Sequence, residues 1–310
     1  MGSKMGNEMG SKMGNEMGSK IERKVSVSGR TYPVWVVVPL FIGLYVVLAG
    51  VLGGCCRWLE LTAGWEMDEE CRLAASCVYS ACDVLAVLAA SLLLFRLEAR
   101  PWSDLGLSVR GHGRGWLYGF LLAAVLYGIG FGLSLAWGAV EVTGVQWQPG
   151  RLAGAWLLFL LVALFEEILV RGFILGRLLH AGMNRFLALF LSASLFGLLH
   201  LFNPHVDLLP LVNLILAGMM LGASYLYTRN LCFPISLHLF WNWIQGPVLG
   251  YPVSGMSSSA TFLQLQLPHP SLLNGGAFGF EGSLLCTVLL ALCTLLIVRW
   301  GEQSTAVNPE

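Results

Sequence analysis

Two adjacent carboxylates, Glu166 and Glu167, stand inside an apolar run, Leu-Phe-Leu-Leu-Val-Ala-Leu-Phe-Glu-Glu-Ile-Leu-Val-Arg. A charge at membrane depth is unfavourable by about 2.5–3.5 kcal/mol on insertion scales. Two in succession therefore need a partner, a watery cavity or a chemical task. Arg171 follows Glu167 by four residues with the acid N-terminal, the favourable order for a helical ion pair. Glu166 sits about 100° around the helix and is served poorly by the same arginine. One carboxylate thus reads as neutralised and the other as free.

Two more pairs share the four-residue spacing. Phe196 and His200 precede Leu-Phe-Asn-Pro, and His238 and Asn242 lie within Ser-Leu-His-Leu-Phe-Trp-Asn-Trp, each pair on one helical face. Two His, one Asn and two Glu on three apolar helices are each unfavourable alone, whereas in one cavity they satisfy one another. The chemistry that suits them is hydrolysis. A carboxylate in a low-dielectric pocket is a competent general base, and Asn or His donors stabilise a developing oxyanion, each by about 100-fold. Glu166, His200 and His238 also make a His₂Glu metal set with water in the fourth position. The usual His-Glu-x-x-His zinc-protease helix does not occur. One divalent metal such as zinc, or none, stays open.

The elements that must position these residues are transmembrane helices. The chain has 310 residues, of which 56% are hydrophobic and 12% charged, with a mean hydropathy of +0.71. A soluble domain carries about 25% charged residues. The composition predicts an all-α polytopic membrane protein with about eight transmembrane helices enclosing an intramembrane polar site. The expected spans are 33–53, 74–95, 117–140, 153–175, 186–202, 208–228, 231–249 and 282–299. The domain layout expected is a low-complexity or tag-like leader over 1–20, a cytoplasmic segment over 21–32, one membrane domain over 33–300 and a cytoplasmic tail over 301–310. Zero formal charge gives no basic field for nucleic acid. The bilayer and a membrane-associated peptide or protein are the expected partners.

Fifteen of the eighteen Lys and Arg fall on one side of these spans. By the positive-inside rule both termini are cytoplasmic, and the site of action is an integral membrane position, the plasma membrane if the source is bacterial. Loop 250–281 has no Lys or Arg and reads as an external loop or cap. This connectivity puts Glu166 toward the cytoplasmic end of its helix and His200 toward the external end of the next. Convergence then requires a tilted or re-entrant 186–202, or a fourth helix that begins deeper. Among other polar residues, Asp83 has no obvious partner, Asn213 suits a helix–helix hydrogen bond, and His180 and His205 sit near helix ends. Cys55, Cys56 and Cys71 fall in a predicted external loop, and no Cys spacing indicates a zinc ribbon or a disulfide scaffold.

Glu-Glu-x-x-x-Arg (166–171), Phe-x-x-x-His (196–200) and His-x-x-x-Asn (238–242), in this order on separate helices, resemble the CPBP family. That family comprises the type II CAAX prenyl endopeptidase and bacteriocin-processing group, also called Abi. The resemblance is close over about 153–249, while the first three helices and the last match only in being hydrophobic. It implies an intramembrane endopeptidase with an eight-span helical core. Glu166 would be the general base, helped by His200. His238 and Asn242 would stabilise the oxyanion, and Glu167, Arg171 and Phe196 would support the geometry. The family is described both as metalloproteases and as glutamate-dependent proteases. The rival readings are a proton- or cation-coupled transporter and a non-catalytic membrane scaffold or immunity protein. Against the first, the polar residues cluster in 166–242 and no inverted repeat is seen.

Overall fold

A computed structural model describes residues 32–63, 68–258, 261–269 and 271–307; the leader expected over 1–20 lies outside them. The chain forms α1 (Val34–Ala63), α2 (Glu69–Leu97), α3 (Arg114–Ala136), α4 (Pro149–Glu167), α5 (Gly176–His180), α6 (Arg185–Leu199), α7 (Leu208–Thr228), α8 (Cys232–Trp243) and α9 (Leu284–Val307). A π-helical stretch, Ile168–Leu175, joins α4 to α5, and a second, Ile244–Val248, extends α8. Five helices among the described residues, α1, α2, α3, α7 and α9, are long and apolar enough to cross a membrane. The polar groups of interest sit on the others, which are short or interrupted. The protein is an all-α polytopic membrane protein.

Exposed tryptophans mark the two ends of the bundle. Trp35, Trp102 and Trp300 lie at one end, and Trp58, Trp137 and Trp147 at the other, as expected of rings that settle at headgroup level. Polar caps stop and start the helices between them. Asp68 caps α2 by accepting from Cys71 N at 2.7 Å, and Asn184 caps α6 through Phe186 N and Leu187 N. Each satisfies a backbone donor that the helix cannot. Small residues let the rods approach. A Cβ at Gly119 of α3 would meet Leu237 N of α8 at 2.6 Å, and one at Gly218 of α7 would meet Ala193 Cα of α6 at 2.9 Å. Dispersion between close backbones replaces the hydrophobic drive that lipid cannot supply.

Several boundaries differ from expectation. The first helix runs to Ala63 and the second starts at Glu69, so Cys55, Cys56 and Cys71 are helical rather than in a loop. Apolar residues past 53 extend α1, and the Asp68 cap starts α2 early. The last helix continues to Val307, so the expected tail from 301 is largely helical. Asp83 has a partner, accepting from the Tyr45 hydroxyl at 3.1 Å. Asn213 makes the expected interhelical bond, accepting from Thr287 Oγ1 of α9 at 2.7 Å.

Loop 250–281 is built, not loose. Its strand β2 (Leu263–Gln266) pairs antiparallel with β1 (Glu141–Val145), in a register from Glu141↔Gln266 to Val145↔Leu263 with an irregularity between Val142 and Gly144. The ribbon lies at the end of the bundle where α4 begins.

Candidate active site

The depth conflict between Glu166 and His200 disappears because the helices that carry them are unequal. From Pro149 to His180 the chain is helical throughout, about 45 Å at 1.5 Å per residue, and Glu166 lies near its middle. Helix α6 has 15 residues and is about 22 Å long. It starts at the opposite end and stops halfway, with His200 as its C-cap. Asn203 and Pro204 follow in a turn, and α7 resumes at Leu208. The short helix, rather than a tilt of a full span, brings His200 to the level of the carboxylates.

Glu166 and Glu167 close α4, and the π-helical stretch begins at the next residue. Such turns recur where a side chain must be re-aimed at a functional position. Here the stretch brings Arg171 Nη1 to 2.7 Å from Glu167 Oε1, with both side chains at 0% exposure. Arg171 Nη2 donates to the Gly218 carbonyl of α7 at 3.1 Å. Its guanidinium lies 4.4 Å over the Phe196 ring. Ion pair, carbonyl and ring together replace the hydration that either charge would lose, without which burial is unfavourable by several kcal/mol.

Glu167 has a second role that its spacing does not reveal. Its Oε1 also lies 2.9 Å from His238 Nδ1. A carboxylate accepts, so Nδ1 carries the hydrogen and Nε2 is left for other partners. That Nε2 stands 3.8 Å from Glu166 Oε2, beyond hydrogen-bond reach. His200 is fixed by the same logic: its Nδ1 is 2.8 Å from the Phe196 carbonyl, which can only accept. Phe196 packs beneath all three groups, with ring centres 4.8 Å from His200 and 6.0 Å from His238. The Phe-x-x-x-His spacing therefore positions both imidazoles and the arginine.

Glu166 is the exception. Its side chain keeps 16% exposure, and its Oε2 is buried without a hydrogen bond among the described residues. An acceptor left so is unfavourable by about 1–3 kcal/mol or more. Glu166, His200, His238 and Asn242 all line one cavity of about 480 Å³, whose walls are apolar side chains of α4 and α7 such as Phe159, Val162 and Met220. Asn242 is buried at 6% exposure, one turn beyond His238. Among the described residues no three His, Cys, Asp or Glu side chains are grouped so as to hold a metal ion.

Sequence reasoning missed Glu281. Its Oε2 accepts from Ser254 N at 2.7 Å and Ser254 Oγ at 2.9 Å, and its Oε1 accepts from Trp241 Nε1 at 3.0 Å. Asn213 Nδ2 donates to the Glu281 carbonyl at 2.7 Å, and Asn203 Nδ2 to the Ser254 carbonyl at 3.1 Å. One carboxylate thus ties the capping loop to α8 beside Asn242 and, through Asn203, to the turn after His200. A glutamate between Phe280 and Gly282 at the end of a loop gives no sign of this; only the absence of Lys and Arg from the loop hints that the acid is not paired by charge.

Residues 146–244 match the family described as Type II CAAX prenyl endopeptidase Rce1-like. This match, over about a third of the chain, supports membership of the CPBP family. The matched segment starts just before α4 and ends after α8, so it contains Glu166, Glu167, Arg171, Phe196, His200, His238 and Asn242. The Rce1-like match implies, in general terms, a membrane protease. Comparison with curated proteins and with solved structures found no match.

Proposed function

We propose that the protein is an intramembrane endopeptidase that cleaves a membrane-associated peptide or protein with a water activated by Glu166. The observation that supports this reading is the unpartnered Glu166 Oε2, 3.8 Å from His238 Nε2 on the wall of a shared cavity. Every other charge at this depth is committed: Arg171 to Glu167, and Glu167 to Arg171 and His238. Glu167 Oε2 also lacks a donor, but Glu167 is fixed through its Oε1, whereas Glu166 faces the cavity, where water is the donor the reaction supplies.

The steps follow from the chain's own groups. Water donates to Glu166, and His200 Nε2 orients it. Its oxygen attacks the scissile carbonyl carbon while its proton passes to the Glu166 carboxylate. Asn242 Nδ2, and His238 Nε2 in the doubly protonated form of that ring, donate to the oxyanion that develops. The intermediate collapses by breaking the C–N bond, and Glu166 returns its proton to the leaving amine. Glu167 and Arg171 take no proton; they hold His238 in register. The apolar walls keep bulk water away, which strengthens each of these interactions.

The Glu166→Ala substitution tests the proposal against its rivals. Loss of proteolysis in a folded variant supports it. An unchanged phenotype supports a scaffold, and altered ion flux supports a transporter.

A further inference from the structure

We infer that the cavity opens on the non-cytoplasmic face of the membrane, so that the substrates are polypeptides exposing their cleavage segment on that side rather than cytosolic C-termini. This rests on the proteolytic reading for what is cleaved, and on the fold for where. The cavity runs inward from one end of the bundle only. Its rim comes from the first turns of α2 (Glu69, Arg72) and α4 (Arg151), from Asn203, and from Ser257 of the capping loop. None of its lining residues comes from the turns at the other end, around 98–113, 176–185 and 229–231.

That other end is sealed. Arg177 Nη2 lies 2.7 Å from Glu98 Oε1, with both side chains at 3% exposure or less. The same nitrogen donates to the Tyr32 carbonyl at 2.6 Å, and Leu231 N donates to the Gly106 carbonyl at 2.8 Å. A peptide would have to break a buried ion pair to reach Glu166 from there.

The charge distribution then fixes which end faces the cytoplasm. Among the described residues the sealed end and the helix halves beneath it hold nine of the twelve arginines, while the open end has Arg57, Arg72 and Arg151. A bias of this size in short loops orients a polytopic protein with the sealed end inside. Glu166 lies about 22 Å along its helix from Arg151 at the rim, a depth that an extended strand of about seven residues covers. The substrate therefore threads an unfolded segment inward from the external surface or the outer leaflet.

Labelling with a membrane-impermeant maleimide in intact cells tests the orientation without needing activity. The native Cys71, exposed one turn into α2, and a Ser257→Cys variant at the rim report the open end. A His112→Cys variant on the opposite turn reports the sealed end, and it and the Ser257→Cys variant are made with the exposed Cys55 and Cys71 replaced by Ser. The inference expects Cys71 and S257C to react in intact cells as fully as after permeabilisation, and H112C to react only after permeabilisation. Protection of Cys71 and S257C until the cells are opened, with H112C labelled from outside, overturns it. Peptides that change between wild type and Glu166→Gln separate the two readings. If they map to cytoplasmic segments, the orientation is wrong and proteolysis stands. If none changes, proteolysis is wrong, while the labelling still decides the orientation.

Discussion

Replacing Glu167 with Gln distinguishes a carboxylate that only neutralises Arg171 from one that also positions His238. Glu167 Oε1 takes hydrogen bonds from Arg171 Nη1 at 2.7 Å and His238 Nδ1 at 2.9 Å, and all three side chains are buried. Gln keeps the volume but loses the charge and turns one terminal atom into a donor. Hydrogen bonds to charged groups each contribute about 1.5–3 kcal/mol, and removing one partner of a buried pair costs about 3–5 kcal/mol. The expected loss of unfolding free energy is therefore about 3–5 kcal/mol. Replacing the charged acceptor of an active imidazole by a neutral one adds a rate effect of up to about 100-fold, or about 2.7 kcal/mol of activation free energy.

A second substitution separates the two effects. Arg171→Met in the E167Q background removes the stranded guanidinium, and replacing a buried ion pair by apolar groups is often neutral or stabilising. Thermal unfolding of the double variant in detergent micelles should recover most of the stability. Its cleavage rate should stay at the E167Q level, because the amide oxygen left to accept from His238 Nδ1 carries no charge to stabilise the imidazolium. A double variant that regains stability and rate together would refute the positioning role and leave Glu167 as a counter-ion only.

Three further outcomes follow from the packing. Glu281→Ala strips the acceptor from Ser254 N, Ser254 Oγ and Trp241 Nε1 at once; at about 1–3 kcal/mol for each buried donor left unpaired, the capping loop should become the first site of limited proteolysis. Gly218→Val drives a side chain into Ala193 Cα, which a Cβ would already meet at 2.9 Å, and should lower stability by about 1–3 kcal/mol or more through overpacking, as read by thermal unfolding. Hydrogen bonds from the Cys71 backbone and side chain hold the Asp68 carboxyl below its usual value of 3.8. The cap is therefore fully present above that value and is lost as pH falls through the depressed one. Amide exchange in the first turn of α2 should quicken only below the ordinary carboxylate range, and exchange that quickens from neutral pH would contradict this.

How much of this was legible in the sequence differs by level. The helical membrane class follows from composition, because the bilayer leaves backbone groups few ways to be satisfied. The grouping of Glu166, His200, His238 and Asn242 follows from the same logic applied to side chains, since isolated polar groups at depth need company. The split between Glu166 and Glu167 was readable from an angle of about 100° per residue. The Glu167–His238 bond was not, because an i,i+4 rule describes one helix and says nothing of a partner 71 residues away. The halfway stop of α6 was also hidden: hydropathy continues through Leu201 and Phe202, whereas the backbone turns at His200. Phe202 is left 97% exposed in consequence. Glu281 was invisible for a related reason, since a loop gives no periodicity from which burial can be read.

The central claim is that Glu166 supplies the base, and one measurement bears on it most directly. New C-termini of membrane and secreted peptides are quantified in cells carrying wild type or Glu166→Gln, with the variant shown to unfold at an unchanged temperature. Removing a charge whose Oε2 has no hydrogen bond should leave stability intact or raise it, while loss of a general base lowers the rate by about 10²–10⁴-fold. The account predicts a set of termini present with wild type and absent with E166Q. The same termini at the same abundance in a well-folded E166Q would contradict it.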